Sequence, residues 1–257
     1  MEPIHPSAAQ GFASAAGTYV RGRPEYPESL RDWLSRDLGL GPGRTCVDLG
    51  AGTGKFTRLV VATGARTLAV EPVAAMRDQL RAGLPGVEVV DAAAQALPLA
   101  DGSVDGVVCA QAFHWFAGPE ALAEIHRILR PGGRFGLVWN VRDESVDWVA
   151  ELTAIMAPYE GDTPRYRTGA WRRAFAGSPF TDLEEVSFPH QHVGPPGDVI
   201  IGRTLSVSFI ARLPAAERAK VEARLRALIA GHPGLRDRDT VAFPYLTRAY
   251  RCTRVGR

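Results

Sequence analysis

Residues 45–54 read TCVDLGAGTG, an apolar run that gives way to three glycines at alternate positions, Gly50, Gly52 and Gly54. A short apolar run bounded by glycines predicts a strand buried inside a sheet. Glycine tolerates unusual φ values and lets a ligand lie against bare backbone. The stretch therefore predicts a strand followed by a ligand-binding loop.

Outward from this loop, strand and helix patterns alternate regularly as far as residue 140. Alternation of this kind predicts an α/β fold of the Rossmann-like, doubly wound class, with a mostly parallel sheet covered on both faces. The predicted strands are 45–49, 67–70, 87–90, 104–110 and 134–139, and the predicted helices are 55–63, 72–82 and 119–129, the last ended by the Pro-Gly-Gly at 131–133.

Beyond residue 140 the pattern changes to inserted helices and two late strands. Residues 240–252 alternate around Pro244 and predict a late antiparallel strand at a sheet edge, since proline lacks the N–H that a central ladder uses. The other predicted elements are helices at 146–156, 171–175 and 215–230 and a strand at 183–190. We expect these elements to cover the substrate side of a single domain.

Composition excludes several classes of protein. The 257 residues are 46% hydrophobic and 23% charged, which is typical of a globular chain, and a net charge of +2 does not favour a nucleic-acid partner. The three cysteines have no paired spacing, so neither a metal site nor a disulfide framework is expected. No apolar stretch is long enough to predict a membrane span, and no signal-peptide pattern is visible, so we expect a cytoplasmic protein. Two lysines among 30 basic residues suggest a GC-rich bacterial genome.

Three nucleotide-binding loops compete for the glycine-rich stretch. A Walker A loop requires glycine where Leu49 stands and serine or threonine where Phe56 stands, so this interpretation fails twice. A dinucleotide loop requires glycine where Lys55 stands, which weakens an NAD site without excluding it. The remaining pattern, D-x-G-x-G-x-G, is matched at every position from Asp48 to Gly54.

Glu71 ends the second predicted strand, about twenty residues after the loop, where a carboxylate accepts hydrogen bonds from ribose hydroxyls. This position supports an adenosine-type ligand but does not separate NAD from other nucleosides. Met76, on the following helix, is a candidate to pack on adenine.

From Thr45 to Asn140 the chain resembles the class I S-adenosylmethionine (SAM)-dependent methyltransferases. VDLGAGTGKFT is similar to their first motif and TLAVEP to their second. AAAQALPLADGSVDGVVCAQAFHWF and the element YVRGRPEYP at 19–27 resemble the branch that contains trans-aconitate methyltransferase-like proteins. The resemblance implies SAM as cofactor, S-adenosylhomocysteine (SAH) as product and one domain with a lid segment at 1–28, a SAM-binding core at 29–140 and a substrate cover at 141–257.

The resemblance also implies roles for individual residues around the cofactor. Asp48 would orient the loop or the amino group, the backbone of Ala93 and Ala94 would meet the adenine edge, and Gln111 would lie near the methionine tail. The full cofactor set is Asp48, Gly50, Ala51, Gly52, Thr53, Glu71, Met76, Ala93, Ala94, Gln95 and Gln111. The family often has an acidic residue where this chain has Gln95, so we expect Gln95, or Asp91 by a shift of register, to replace it.

Candidate catalytic residues flank the fourth strand and the amino-terminal segment. His114 follows that strand, and an imidazole of ordinary pKa about 6.5 suits proton uptake at neutral pH, so we expect it to serve as a general base or as an orienting group. Tyr19 is expected on a lid that closes over the sulfonium, where an aromatic ring gains cation–π attraction. The candidate substrate residues are Arg23, Trp115, Asn140, Arg142, Tyr166 and Trp171.

The leading hypothesis is methyl transfer from SAM to a small-molecule acceptor, most simply O-methylation of a carboxylate or a hydroxyl. A carboxylate needs no base, whereas a hydroxyl does. An NAD-dependent oxidoreductase and a noncatalytic SAM-binding protein stay open as alternatives. Neither nucleic acid nor membrane is expected as a partner, and the sequence does not predict the oligomeric state.

Overall fold

A computed structural model describes residues 23–256 of the protein. The strands are β1 (Thr45–Leu49), β2 (Arg66–Val70), β3 (Glu88–Val90), β4 (Val104–Ala110), β5 (Leu129–Arg142), β6 (Glu184–Gly194) and β7 (Val241–Thr253). The α-helices are α1 (Ser29–Arg36), α2 (Thr57–Ala62), α3 (Ala74–Gly83), α4 (Pro119–Ile128), α5 (Asp147–Met156), α6 (Arg203–Leu205), α7 (Ser208–Ala211) and α8 (Ala215–Gly231). A π-helical turn spans Gly197–Gly202, and 3₁₀ turns include Phe113–Trp115 and Ala170–Phe175.

The seven strands form one mixed sheet in the order β3-β2-β1-β4-β5-β7-β6. The pairs β1–β2, β2–β3, β1–β4 and β4–β5 are parallel. The chain steps outward from β1 to β3 and then returns to the other side of β1 at β4. The carboxyl ends of β1 and β4 therefore flank the point where strand order reverses, which is where ligands bind in sheets of this class.

Strand β5 begins five residues before the predicted start at Arg134. Val104 pairs with Leu129, but Gly106 pairs with Arg134, so the intervening residues of β5 bulge out of the ladder. Gly132, within this bulge, has a φ of 74°. The Pro-Gly-Gly sequence was expected to separate a helix from a strand, and instead it forms a β-bulge within the strand, because glycine permits the left-handed conformation that the bulge needs.

Strand β7 confirms the predicted antiparallel late strand but lies between β5 and β6, so its prediction as an edge strand was wrong. Arg254 N donates to Gly133 O (2.8 Å), and Asp143 N donates to Pro244 O (3.1 Å), so the residue numbers fall along β7 as they rise along β5. The proline is tolerated in an interior strand because it faces Asp143, one residue beyond the end of β5, where the ladder stops.

The described residues divide into two compact units. The sheet unit comprises 26–139, 164–188 and 247–256, and the helical unit comprises 23–25, 140–163 and 189–246. In the sheet unit, α1 and α2 pack on the sheet through a buried cluster that includes Leu30, Trp33 and Phe56. In the helical unit, α5 and α8 share a separate core that includes Trp148 and Leu225. Within residues 23–256, no helix has the combined length and apolar character that a membrane span requires.

Candidate functional site

The loop after β1 is built from glycines in left-handed conformations. Gly50, Gly52 and Gly54 have φ values of 72°, 58° and 84°. Residues with a Cβ atom rarely adopt this region, which costs them roughly 1–2 kcal/mol each. Gly50 N and Ala51 N both donate to Val70 O, at 2.8 and 3.0 Å, so the loop is fastened to the end of β2. The predicted ligand-binding loop is therefore rigid and held by the neighbouring strand.

Gly50 and Gly52 differ in what surrounds them. A Cβ atom at Gly50 would lie 2.7 Å from the Cβ of Ala112, whereas a Cβ atom at Gly52 would meet no atom of residues 23–256 within 4 Å. Gly50 is thus required by close packing against the segment after β4. Gly52 instead borders space that the described part of the chain leaves open, which suits a ligand against its bare backbone.

This difference predicts separate effects of two matched substitutions. Gly50→Ala is expected to destabilise the fold by about 2–4 kcal/mol, because the left-handed φ and the clash with Ala112 add together. Gly52→Ala carries only the conformational penalty, about 1–2 kcal/mol. Urea unfolding of both variants tests this. Equal losses of stability would show that the Ala112 contact does not distinguish the two glycines.

Glu71 ties the glycine loop to the end of β2 through both carboxylate oxygens. Oε2 accepts from Gly52 N (2.9 Å), and Oε1 accepts from Val73 N (2.9 Å). Glu71 is only 7% exposed. This burial raises the pKa of Glu71, although its two backbone N–H donors favour the charged form. Each oxygen keeps a further lone pair, so the carboxylate can also accept hydrogen bonds from a ligand.

Asp48 is fully buried beneath the loop. Its Oδ2 accepts from Thr57 Oγ1 at 2.6 Å, while its Oδ1 has no hydrogen-bond partner among the residues the structure describes. Burial raises the pKa of Asp48 to about 7, and the Thr57 hydroxyl only partly offsets that effect. A buried carboxylate oxygen without a partner is uncommon, and it suits a donor brought by a ligand or a bound water.

Arg77 is a buried residue of this region that sequence reasoning missed. Its Nη1 donates to Glu71 O and to Asp91 Oδ1, each at 2.9 Å, and its Nη2 lies 2.7 Å from Asp91 Oδ2. This bidentate pair engages both oxygens of Asp91, and the predicted contact of Asp91 with an adenine amino group stays a prediction. The sequence did carry one sign of this burial, because Arg77 lies three residues before Leu80 and so shares the buried face of α3.

The other predicted cofactor residues also lie in the sheet unit. Met76 is 2% exposed and Ala94 is buried, whereas Gln95 is exposed. Ala93 forms an isolated antiparallel bridge with Ala96, which shapes the turn that follows β3. Thr53 lies between Gly52 and Gly54 in the loop.

Gln111 follows β4 with a φ of 60°, a left-handed conformation that is uncommon for a residue with a side chain. Its backbone N–H donates to Val138 O (2.8 Å), which fixes the turn to β5. Such conformations cluster at functional sites. The segment after β4 is therefore held in an unusual shape directly beside Gly50, which packs on Ala112 and Phe116.

His114 lies in the 3₁₀ turn of that segment, between the buried Phe113 and the half-buried Trp115. Trp139 Nε1 donates to His114 Nδ1 at 3.2 Å. Since the indole nitrogen is a donor only, Nδ1 must present its lone pair. The role of His114, as a general base or as an orienting group, stays a prediction.

Tyr166 and Trp171, both predicted to line a substrate pocket, join an aromatic cluster in the sheet unit. Tyr166 Oη and Tyr250 Oη lie 2.6 Å apart, and Trp171 Nε1 donates to Tyr166 O at 3.2 Å. Trp171 is 2% exposed, and its ring lies 4.6 Å from that of Trp139. Trp171 is thus buried in this aromatic cluster, and its predicted place in a pocket wall stays a prediction.

Three predicted substrate residues lie in the helical unit with defined partners. Arg23 Nη2 donates to Ser206 O (3.2 Å), Asn140 Nδ2 donates to Glu25 O (2.9 Å), and Arg142 Nη1 lies 2.8 Å from Met156 Sδ. Asn140 is buried and Arg23 is partly buried. Asn140 thus contacts the segment 23–25, which also carries Arg23. Tyr19 lies outside the described residues, as does the rest of the predicted lid before residue 23.

Taken together, the sheet unit offers a rigid glycine loop, a buried carboxylate at the end of β2 and an unpartnered carboxylate oxygen beneath the loop. This donor and acceptor set fits a nucleoside that carries a ribose and an amino-acid tail. Among residues 23–256, no cluster of three or more histidine, cysteine, aspartate or glutamate side chains is placed to hold a metal ion.

The sequence and the fold of this chain are similar to those of known methyltransferases. The sequence model of the family described as "Methyltransferase domain" matches residues 47–137. An uncharacterised methyltransferase of Mycobacterium tuberculosis is 41% identical over 242 residues, which cover 94% of this chain and 95% of that protein. The malonyl-[acyl-carrier protein] O-methyltransferase of Methylococcus capsulatus is 45% identical over 163 residues, 61% of this chain and 56% of that protein. A solved structure from Anaeromyxobacter dehalogenans, assigned as a type II methyltransferase, has a TM-score of 0.62 at 26% identity and covers 91% of this chain and 97% of that one.

Proposed function

The chain belongs to the methyltransferase family, and from this premise we propose that it is a SAM-dependent enzyme that methylates an oxygen atom of a small acid or alcohol. The observation that carries the proposal is the open backbone at Gly52 beside the Glu71 carboxylate. A nucleoside can lie against the Gly52 backbone and donate hydrogen bonds from its ribose hydroxyls to the Glu71 carboxylate. The sequence elements at 19–27 and 113–116 support placement in the trans-aconitate methyltransferase-like branch.

SAM, when bound, would supply a methyl group on a positively charged sulfonium, and the neutral thioether of SAH is a good leaving group. The chain's own residues then bind and orient. Glu71 would accept from the ribose hydroxyls through the lone pairs that Gly52 and Val73 leave unused. Asp48 Oδ1 would accept from the cofactor's ammonium group, directly or through water. Positioning of the reacting atoms contributes much of the acceleration in reactions of this type, up to roughly 7–11 kcal/mol.

Oxygen is the favoured acceptor atom for two reasons. A relative that matches 61% of this chain is named as an O-methyltransferase of a malonyl group. In addition, Asn140 and Arg142 at the carboxyl end of β5 and Arg23 in the same unit carry several amide and guanidinium N–H groups each, and side chains of this kind suit an oxygen-rich small molecule.

A methyl-transfer assay tests this proposal. The purified protein is incubated with SAM labelled in the methyl group and with trans-aconitate, malonyl-coenzyme A or catechol. We expect label in an O-methylated product, at a rate that Gly52→Ala reduces at least roughly 10-fold through lost cofactor binding. Mild alkali releases the label of a methyl ester as methanol but leaves a methyl ether intact, so the treatment separates acid from alcohol acceptors. Label found only on nitrogen or carbon of other acceptors would contradict the proposal.

A further inference from the structure

We propose that the protein binds a phosphate group at the amino ends of β1, β4 and β5, at the opposite end of the sheet from the glycine loop. A cavity of about 260 Å³ lies there, and its lining includes three arginines, Arg44, Arg130 and Arg134. All the lining residues belong to the sheet unit. The site goes beyond methyl transfer, and its existence does not depend on the cofactor.

The β-bulge of β5 forms one wall of the cavity. Residues 130–133 bulge out of the ladder between β4 and β5 and line the cavity. Bulges re-aim side chains, and here Arg130 Nη1 donates to Asp105 Oδ1, on the neighbouring strand β4, at 2.7 Å. A Cβ atom at Gly132 would meet no atom of residues 23–256 within 4 Å. The bulge therefore supplies both an oriented arginine and open space.

Asp105 holds two of the three arginines in place. Its Oδ1 accepts from Arg44 Nη1 (3.0 Å) and from Arg130 Nη1, and its Oδ2 accepts from Thr45 N (2.8 Å). The Asp105 side chain is 9% exposed. Burial alone would raise the pKa of Asp105, but these three hydrogen bonds lower it, so the carboxylate is ionised at neutral pH. One carboxylate thus orients two guanidinium groups and neutralises one of their charges.

Arg134 completes a set of three guanidinium groups with unused donors. Its Nη1 donates to Asp37 O (3.0 Å), while the carboxylate of Asp37 pairs with Arg251 (3.4 Å). Within residues 23–256, the three arginines of the cavity form hydrogen bonds through Nη1 alone, so their Nη2 and Nε groups are left for solvent or a ligand. Arg44 and Arg130 are about half exposed, so a ligand can reach them from solvent.

Charge and donor geometry favour phosphate as the ligand. Three guanidinium groups and one carboxylate leave the lining with a net charge of +2. A phosphate monoester carries about −1.5 to −2 at pH 7 and offers three acceptor oxygens. Guanidinium forks bind such oxygens in pairs. A carboxylate has one charge and two oxygens, so it would satisfy fewer of these donors.

The size of the cavity limits the ligand to a small molecule. Its volume of about 260 Å³ is just below the range of roughly 300–1,000 Å³ for sites that hold drug-sized ligands. Leu38, which is buried, adds an apolar part to the lining. Free phosphate and a phosphate ester with a short carbon chain share the chemistry that this lining recognises.

Isothermal titration of the full chain with pyrophosphate, glycerol phosphate and inorganic phosphate tests the site. In a phosphate-free buffer of low ionic strength, we expect saturable binding of one ligand per chain. The relative affinities of the three ligands distinguish a free phosphate from an ester. Arg130→Gln and Arg134→Gln should each weaken binding roughly 10-fold or more, because each removes hydrogen bonds to a charged group. Asp105 keeps Arg44 and Thr45 N as partners in both variants, so we expect both to fold.

Arg66→Gln is the matched control. Arg66 begins β2 at the same end of the sheet, but it pairs with Glu88 and does not line the cavity. Its replacement removes the same charge and should leave the affinity nearly unchanged. Equal losses in Arg66→Gln and Arg130→Gln would show general attraction to a basic surface and would overturn the proposal. The absence of saturable binding at millimolar concentrations would also overturn it, as would tighter binding of succinate, a dicarboxylate, than of glycerol phosphate.

A second titration in the presence of SAH separates this cavity from the glycine loop, since backbone N–H groups of such loops also bind phosphate. The cavity lies at the other end of β1 and β4, so we expect pyrophosphate to bind the SAH-saturated protein as well. Binding that SAH abolishes and that Arg130→Gln leaves intact would place the phosphate on the loop and contradict the proposal. If SAH itself does not bind, the proposed function fails, and the first titration still decides whether the cavity binds phosphate.

Discussion

Replacement of Glu71 by alanine is expected to weaken SAM binding at least about 100-fold, the largest loss of affinity for any single side chain of the site. The carboxylate accepts from Gly52 N and Val73 N, and in our proposal it also accepts from the ribose. Hydrogen bonds to a charged group contribute about 1.5–3 kcal/mol each, so the loss of two ribose contacts alone accounts for a factor of this size. Isothermal titration with SAH measures the effect.

Glu71→Ala leaves the N–H groups of Gly52 and Val73 without an acceptor, which opposes folding. Two further variants keep the prediction testable if the alanine variant folds poorly. Glu71→Gln preserves the size of the side chain and one carbonyl acceptor, and should lose affinity to an intermediate degree. Glu88→Ala is the matched control, since that glutamate, at the start of β3, is exposed and pairs with the exposed Arg66. A Glu71→Gln protein with unchanged affinity would remove Glu71 from the ribose site.

Replacement of Asp48 by asparagine should stabilise the cofactor-free protein at high pH. Burial raises the pKa of Asp48 to about 7, against about 3.9 in an unfolded chain. The folded state therefore holds a proton that the unfolded state releases between these values. Proton binding by Asp48 stabilises the folded state fully below about pH 4, and this stabilisation is lost as the pH rises through about 7. At about 1.4 kcal/mol per pKa unit, the ionised group costs about 4 kcal/mol at pH 8.

Urea unfolding at pH 5 and pH 8 measures this effect. Asp48→Asn should gain up to about 4 kcal/mol over the wild type at pH 8 and much less at pH 5, because the asparagine carries no buried charge. The same variant should bind SAM more weakly, since its side chain lacks the negative charge that favours the cofactor's cationic groups. Thr57→Val removes the hydrogen bond to Asp48 Oδ2 and should therefore lower the free energy of unfolding at pH 8. A difference between wild type and Asp48→Asn that does not change with pH would contradict the account.

Local sequence patterns predicted the parts of this fold that local physics determines. The apolar runs at 45–49 and 104–110 correspond to β1 and β4 with the same bounds, because a strand buried on both faces needs a continuous apolar run. The three glycines of the loop were predictable for a similar reason, since only glycine adopts those φ values without strain.

The errors arose where a distant partner decides the outcome. Pro244 was read as an edge signal, but its tolerance depends on where β5 ends, at Arg142. Residues 131–133 were read as a boundary, but their bulge depends on the register against β4. Periodicity reports which side of an element is buried and does not report which residue lies across from it.

The site shows the same division. Glu71 and the glycine loop belong to a single strand–helix–strand unit, β1–α2–β2, so their proximity was predictable from the spacing. The contact of His114 with Trp139 joins two neighbouring strands across 25 residues, and Arg77 meets Asp91 across 14. Side chains of ordinary appearance in the sequence acquire these roles only once the sheet order is known.

The claim on which the whole account depends is that the loop at 48–54 binds SAM. Isothermal titration of the wild-type protein with SAH, and separately with NAD, tests it most directly, with Gly52→Ala as the matched variant. We expect saturable binding of SAH, at least about 10-fold weaker in Gly52→Ala, and no binding of NAD in the same concentration range. Binding of NAD without binding of SAH, or SAH affinity unchanged by Gly52→Ala, would contradict the account.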